Sequence, residues 1–261
     1  SGIAHTRWAT HGAPTEVNAH PHIVDGVSVV HNGIIENFAE IKQELAAAGA
    51  TFATQTDTEV VAQLLARHLR DGKTPRAAVE DMLGRVTGAY ALAILFEQEP
   101  GRIYAARSGP PLAVGYGNGE MFLGSDAIAL APFTNQIAYL NDGDWAVITA
   151  TDAEIFDAQG TPVKRSRQQS SASAFLIDKG NHRHFMEKEI HEQPEAISHT
   201  LGHYIDFAES RIRTLEGIDF AQVESLAISA CGTAYLAGLT GKYWFERYAR
   251  LPVEIDVASE F

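Results

Sequence analysis

The chain has 261 residues, 45% of them hydrophobic, and a formal net charge of −13. That length holds one large domain or one and a half ordinary ones, and that apolar fraction supports a buried core. The acidic balance argues against a nucleic-acid partner, and no run of about 18 apolar residues is present to form a membrane span.

The one cysteine, Cys231, has no partner for an internal disulfide. The opening Ser1-Gly2-Ile3-Ala4-His5 has no basic region ahead of an apolar core, so no export signal is read there. Together these point to a cytoplasmic protein.

In chain order, Val27–His31 is a short apolar run ending at Asn32-Gly33, which predicts a strand and then a turn. Phe38–Ala48 has Ile41 and Leu45 four apart and Gly49 at its end, the pattern of a helix. Asp57 or Thr58 caps a second helix, with Val60, Val61, Leu64, Leu65 and Leu69 on one face and an end near Gly72. A third helix follows Pro75 and ends near Gly84.

The rhythm then changes. Ala89–Phe96, Ile103–Ala106, Leu112–Tyr116, Met121–Leu123, Ile137–Leu140 and Trp145–Thr149 are short strand-like runs separated by Gly, Pro, Asn and Asp. They predict antiparallel sheet, and helices gathered ahead of strands predict layered α+β. Residues 161–181 are polar and read as a linker or an irregular crossover. Met186–His203 is helical in pattern. Ser225–Ala230 reads as a buried strand, Cys231-Gly232-Thr233 as a turn into a helix reaching about Tyr248, and Val253–Val257 as a second strand. That order is a βαβ unit of an open parallel sheet.

The residues with the clearest chemistry lie in three segments: His5-Thr6-Arg7-Trp8-Ala9-Thr10-His11-Gly12, His31-Asn32-Gly33-Ile34-Ile35-Glu36-Asn37 and Thr56-Asp57-Thr58-Glu59. Arg7 offers a planar fork for a carboxylate, and Thr10 and His11 add polar contacts from the same loop. Gly12-Ala13-Pro14 shapes that loop, and Trp8 is either part of a lid over substrate or a packed aromatic. Asp57 is either an anion for an ammonium group or a helix N-cap. Asn32 and the Gly33 amide are either two donors to a developing oxyanion or a plain Asn-Gly hairpin turn. Read together, they describe a pocket for a small zwitterion whose side-chain carbonyl is attacked. His5, His20, His22 and His31 lack cysteine support and any i, i+4 pair, so no metal is expected. No cofactor is expected either. Thr233, where a strand hands over to a helix, is placed to meet a phosphate or is an ordinary helix start.

These segments resemble the glutaminase half of the glutamine–fructose-6-phosphate aminotransferase (isomerizing) family. The resemblance continues through His182-Arg183-His184-Phe185-Met186-Glu187-Lys188-Glu189-Ile190-His191-Glu192-Gln193-Pro194, which is similar to that family's interdomain segment. It reaches Ala230-Cys231-Gly232-Thr233-Ala234-Tyr235 and Ala258-Ser259-Glu260-Phe261, which are similar to the start of its sugar-phosphate isomerase (SIS) domain. The resemblance implies an N-terminal-nucleophile α/β/β/α glutaminase sandwich over residues 1–165, a linker over 166–185 and the beginning of an α/β SIS domain over 186–261. It implies glutamine bound by Arg7, Trp8, Thr10, His11 and Asp57, an oxyanion hole of Asn32 and Gly33, and fructose 6-phosphate met by Thr233. It also implies a homodimer.

Family members begin Cys-Gly-Ile, and that cysteine is their nucleophile. Ser1-Gly2-Ile3-Ala4-His5 aligns instead with an internal family strand, and Phe261 falls soon after the isomerase domain begins. The expectation is an internal fragment, without the nucleophile, of a chain more than twice as long. Many relatives carry Ser after the phosphate-contacting Thr, and this chain has Ala234. Two other readings stay open. One is another amidotransferase of the same class, such as amidophosphoribosyltransferase or asparagine synthetase, against which the Cys231-Gly232-Thr233 unit speaks. The other is a non-catalytic sensor of glutamine or sugar phosphate.

Overall fold

The computed structural model describes residues 1–7, 11–170, 182–206, 211–212 and 220–259. They divide into two compact units, Ser1–Asp178 and Lys179–Phe261.

The first unit opens on a hairpin that sequence reading missed. Strand β1 (His22–Val24) pairs antiparallel with β2 (Val27–Ile35). Asp25 and Gly26 join them with φ of 44° and 78°, the paired positive angles of a tight hairpin turn. Three helices follow: α1 (Phe38–Ala47), α2 (Thr58–Arg70) and α3 (Pro75–Leu83). The remaining strands are β3 (Gly88–Phe96), β4 (Ile103–Ser108), β5 (Ala113–Tyr116), β6 (Met121–Gly124), β7 (Gln136–Tyr139), β8 (Trp145–Ile148), β9 (Ala153–Phe156), β10 (Pro162–Val163) and β11 (Gln168–Gln169), with a short α4 (Ala127–Leu130) after β6. They form a seven-stranded sheet, β1-β2-β3-β4-β8-β9-β10, and a four-stranded sheet, β11-β7-β5-β6. Every pairing in both sheets is antiparallel.

Strand periodicity explains how β3 is buried on both faces although its run GAYALAILF shows no polar alternation. Its large residues Leu92, Ile94 and Phe96 join the cluster made with Ile41, Leu45, Val61, Leu64, Leu65, Val79 and Met82 of the helices. Its small residue Ala91 turns the other way, into the cluster shared with Leu112, Val114 and Leu140 around the second sheet. Strands β4 and β8 repeat the division: Tyr104 and Trp145 face the helices, while Ala105 and Ala146 face the second sheet. Alanines there let the two sheets approach. On the far side of the smaller sheet, Leu130 of α4 packs on Ala113 and Ile137. The layers therefore run helices, sheet, sheet, with α4 outermost. Each of the buried leucines of α2 contributes about 1.5–3 kcal/mol.

The predicted turn at Asn32-Gly33 is not there. Strand β2 runs on through both residues, with Asn32 opposite Ala91 and Gly33 opposite Tyr90. The glycine serves a close backbone approach: a Cβ on Gly33, at φ 133°, would lie 2.0 Å from the Ala89 carbonyl oxygen. Gly88 makes the reciprocal approach, its Cβ position falling 2.2 Å from the Ile34 carbonyl oxygen. A side chain at either position would force the ladder apart just where the strand presents its polar residues.

In the second unit, α5 (Phe185–Tyr204) contains Pro194, and β12 (Ile205–Asp206) pairs antiparallel with β13 (Arg211–Ile212). Strand β14 (Leu226–Ala230) pairs parallel with β15 (Val253–Val257) across α6 (Gly232–Trp244), which is the βαβ unit expected. Gly238 lets α6 sit close on this pair, since a Cβ there would fall 2.7 Å from Ile255 Cδ1. The expectation that β14 is buried needs correction. Its residues are half-buried and exposed in alternation, because one helix on a two-stranded sheet covers one face only.

Replacing Gly33 with alanine is expected to cost at least about 2 kcal/mol through strain and clash. Gly72→Ala, also at positive φ but with open space around it, is expected to cost about 1 kcal/mol. Urea unfolding of the two variants checks both figures. Equal midpoints would show that the Ala89 approach is immaterial.

Candidate functional site

The C-terminal half of β2 and the start of α2 meet at a pocket of about 490 Å³. Strand β2 and the turn after it supply His31, Asn32, Gly33, Ile34 and Glu36, and the entry to α2 supplies Thr56, Asp57 and Thr58. The segment before β1 supplies His5, Arg7, His11 and His20, and Ala89 closes the lining. Arg7, His11, Asn32, Gly33 and Asp57, chosen from sequence as ligands of one small zwitterion, thus share one cavity. Trp8 and Thr10 lie outside the described residues.

Asp57 stands at the N-cap position of α2 but does not cap it. Its backbone is helical (φ −68°, ψ −26°) and its side chain makes no capping bond. The carboxylate turns instead toward β2, where Oδ2 accepts the Ile35 N–H at 2.8 Å. The entry to α2 is held by Glu59, buried like Asp57, whose carboxylate accepts from the Ala53 and Thr54 N–H groups at 2.8 and 2.7 Å and from the Thr54 hydroxyl at 2.7 Å. Asp57 is 3% exposed. The groups nearest its oxygens are imidazoles: His11 Nδ1 at 4.0 Å and His31 Nδ1 at 3.9 Å. Among the described residues no Lys or Arg pairs with it.

His31 does not supply the missing charge as a standing cation would. Burial pushes His31 down to about 4, against the pull of Asp57. Burial, reinforced by His22 and His5, pushes His20 down to about 3. His5 and His22 are lowered by burial as well. The rings of His5, His20 and His22 stack edge-on at 4.7 and 4.9 Å between successive centroids. At neutral pH the rings of His5, His20, His22 and His31 are therefore neutral. Among the described residues no three His, Cys, Asp or Glu side chains converge as a metal site.

Arg7 sits at φ 47° and spends its guanidinium on the loop that follows. Nη1 donates to the Ala13 carbonyl at 3.0 Å, and Nη2 to those of His11 and Gly12 at 2.6 and 3.1 Å. That leaves two of its five N–H groups for an anion. The His11 ring is held against Phe38 with centroids 5.1 Å apart. Asn32 is exposed on the face of β2 that it shares with its cross-strand partner Ala91, and its side chain makes no hydrogen bond among the described residues.

Sequence reading missed Thr56 and Thr58, whose hydroxyls meet His22 Nε2 at 3.1 Å and His31 Nδ1 at 3.0 Å. Their place in the Thr56-Asp57-Thr58-Glu59 run was the available signal. Thr58 with His31 has the outline of a hydroxyl and its base, but a base of pKa about 4 is far too weak to activate a hydroxyl. Thr233 and Cys231 are in the second unit. Thr233 is exposed in the first turn of α6. Cys231, expected in a structural role at a buried strand end, is exposed.

Residues 5–132 match the family described as the glutamine amidotransferase domain. Over all 261 residues the chain is 73% identical to a glutamine–fructose-6-phosphate aminotransferase [isomerizing] of Rhizobium meliloti (strain 1021) and 70% identical to that of Agrobacterium fabrum (strain C58). It spans 43% of the length of each. A solved glutamine phosphoribosylpyrophosphate amidotransferase from B. subtilis is 20% identical, with a TM-score of 0.49 over 96% of this chain and 50% of that one. The pocket described above lies wholly within the matched segment.

The depressed histidines give the domain a defined acid sensitivity. Native His31 takes a proton only near pH 4, whereas an unfolded histidine takes one near 6.5. The unfolded state therefore binds more protons between those values, and stability is lost as pH falls through that window. His31→Asn is expected to remove on the order of 3 kcal/mol of this pH-dependent loss. Urea unfolding of both proteins at pH 7 and pH 4 checks it, and parallel losses in the two would refute it.

Proposed function

We propose that this pocket binds L-glutamine and that the natural protein carrying it moves the amide nitrogen onto fructose 6-phosphate, giving glucosamine 6-phosphate and glutamate. The observation that carries the glutamine reading is the buried carboxylate of Asp57, paired with no Lys or Arg among the described residues, in one cavity with Arg7. An α-amino acid brings both complements, an ammonium for the first and a carboxylate for the second. The amidotransferase match over residues 5–132 and the relatives' names support it.

In the proposed mechanism a thiolate attacks the amide carbon, and the resulting oxyanion is met by Asn32 and the Gly33 amide. Collapse expels ammonia and leaves a thioester, which water hydrolyses to glutamate. Among the described lining residues none is a thiol, and Cys231 belongs to the second unit. The thiol is assigned to the N-terminal cysteine that the family carries. Trp8, Thr10 and His11 are assigned to the loop over the substrate.

The finer architecture belongs to the same proposal. Residues 1–165 form the N-terminal-nucleophile α/β/β/α glutaminase and 166–185 a linker. Residues 186–261 begin a SIS domain, with Thr233 toward the sugar phosphate. The protein is proposed to be a cytoplasmic homodimer of hexosamine biosynthesis. Among the described residues no helix is long and apolar enough to cross a membrane.

The test uses the natural protein at full length. Glutamine and fructose 6-phosphate are expected to yield glutamate and glucosamine 6-phosphate in equal amounts. Phosphoribosyl pyrophosphate is expected not to replace the sugar phosphate. Asn32→Ala is expected to lower kcat for glutamine hydrolysis by about 10²–10³-fold, the usual loss for one oxyanion donor. Asp57→Asn is expected to raise KM for glutamine instead. Glutamine binding with no ammonia released would overturn the enzyme reading in favour of a sensor.

A further inference from the structure

We infer that Asn18 is a positioning residue that sets the spacing between the two charged ends of the substrate site. The inference rests on the glutamine reading above and adds a specificity role to a residue that does not line the pocket. Asn18 ends a short 3-10 turn, Glu16–Asn18, and is 3% exposed. Its Nδ2 donates to the Ala13 carbonyl at 3.0 Å, and its Oδ1 accepts the Gln55 N–H at 3.0 Å. Both partners are backbone groups of fixed polarity, so only one orientation of the side-chain amide satisfies them.

Those partners belong to the two loops that matter. The Ala13 carbonyl also receives Arg7 Nη1 at 3.0 Å and the Thr15 N–H at 2.8 Å. Gln55 precedes Asp57 by two residues, on the loop entering α2. An unbroken path thus leads from the Arg7 guanidinium through the Ala13 carbonyl and the Asn18 amide to Gln55, and along the chain to Asp57. Gly12 is shaped to this bridge. At φ 77°, a Cβ there would fall 2.9 Å from Asn18 Nδ2 and 3.1 Å from Gln55 Cβ. The ammonium and carboxylate of an α-amino acid share one carbon, so their receptors must be held at one separation. A displacement of about 1 Å is enough to cost about 10²-fold in rate.

The test is selectivity in the natural full-length protein. Glutamine hydrolysis is measured with L-glutamine and with glutaramate, which lacks only the α-amino group. In the native protein L-glutamine is expected to have the higher kcat/KM. Asn18→Ala is expected to lower the ratio of the two kcat/KM values by about tenfold, equivalent to 1.4 kcal/mol, with glutaramate little changed. Asn18→Asp keeps the volume and the acceptor but loses the donor. It is expected to lower the ratio likewise, and it decides the matter where the alanine variant does not fold. A merely structural role would lower both values together and leave the ratio intact, which would overturn the inference. A native protein that hydrolyses glutamine without preferring it to glutaramate would instead sink the head-group reading of the pocket.

Discussion

The site is organised around Asp57, a carboxylate buried with no Lys or Arg partner among the described residues. Removing such a group from water costs several kcal/mol after relaxation, and the single bond from the Ile35 N–H returns about 1.5–3 kcal/mol of that. The positive end of α2, which begins at the next residue, favours the anion further. The rest of the demand is open to a ligand. An ammonium placed there gains a desolvated partner whose burial the fold has already imposed. In the proposed reading, the energetic cost of burying Asp57 is what an ammonium would relieve.

That arrangement needs β2 and α2 in fixed register, and the core provides it. Val60, Val61, Leu64 and Leu65 lock α2 onto the seven-stranded sheet through the same cluster that buries Leu92 and Ile94 of β3. The pinch at Gly33 and Gly88 then brings β2 and β3 together at the pocket edge. The backbone of β2 reaches Asp57 through Ile35 while the face that β2 shares with Ala91 presents Asn32. One strand therefore anchors the anion and displays the polar amide a short distance away.

The repeating parts of this fold were legible in the sequence, because helical spacing and strand alternation report a core face directly. The α2 stripe from Val60 to Leu69 and the β3 run are examples. The Gly238 contact behind α6 was not foreseen, although the βαβ order was. Short edge elements were hidden: β1, β10 and β11 each have two or three residues, too few to show a period. Asn32-Gly33 misled because the pair is a strong turn signal, whereas here glycine answers a backbone approach across the ladder. In the site, charge types were readable and directions were not. Asp57 could be named as an anion, yet its turning away from the helix it begins depends on the Ile35 amide, 22 residues upstream. Asn18 gave no signal at all, since its two partners are backbone groups, which sequence does not distinguish.

The histidines complete the logic of charge. His31 beside Asp57 would, if protonated, fill the place proposed for an ammonium, and His5, His20 and His22 would crowd further positive charge near Arg7. Burial prevents both by keeping the rings neutral, with His20 and His31 pushed down to about 3 and about 4. Those four rings consequently add no positive charge beside Arg7 and Asp57 at neutral pH. A dianion or a simple amine satisfies one of them and leaves the other unmet, whereas a zwitterion satisfies both. Desolvation of the imidazoles, as much as the presence of Arg7 and Asp57, underlies the proposal that the cavity takes an amino acid.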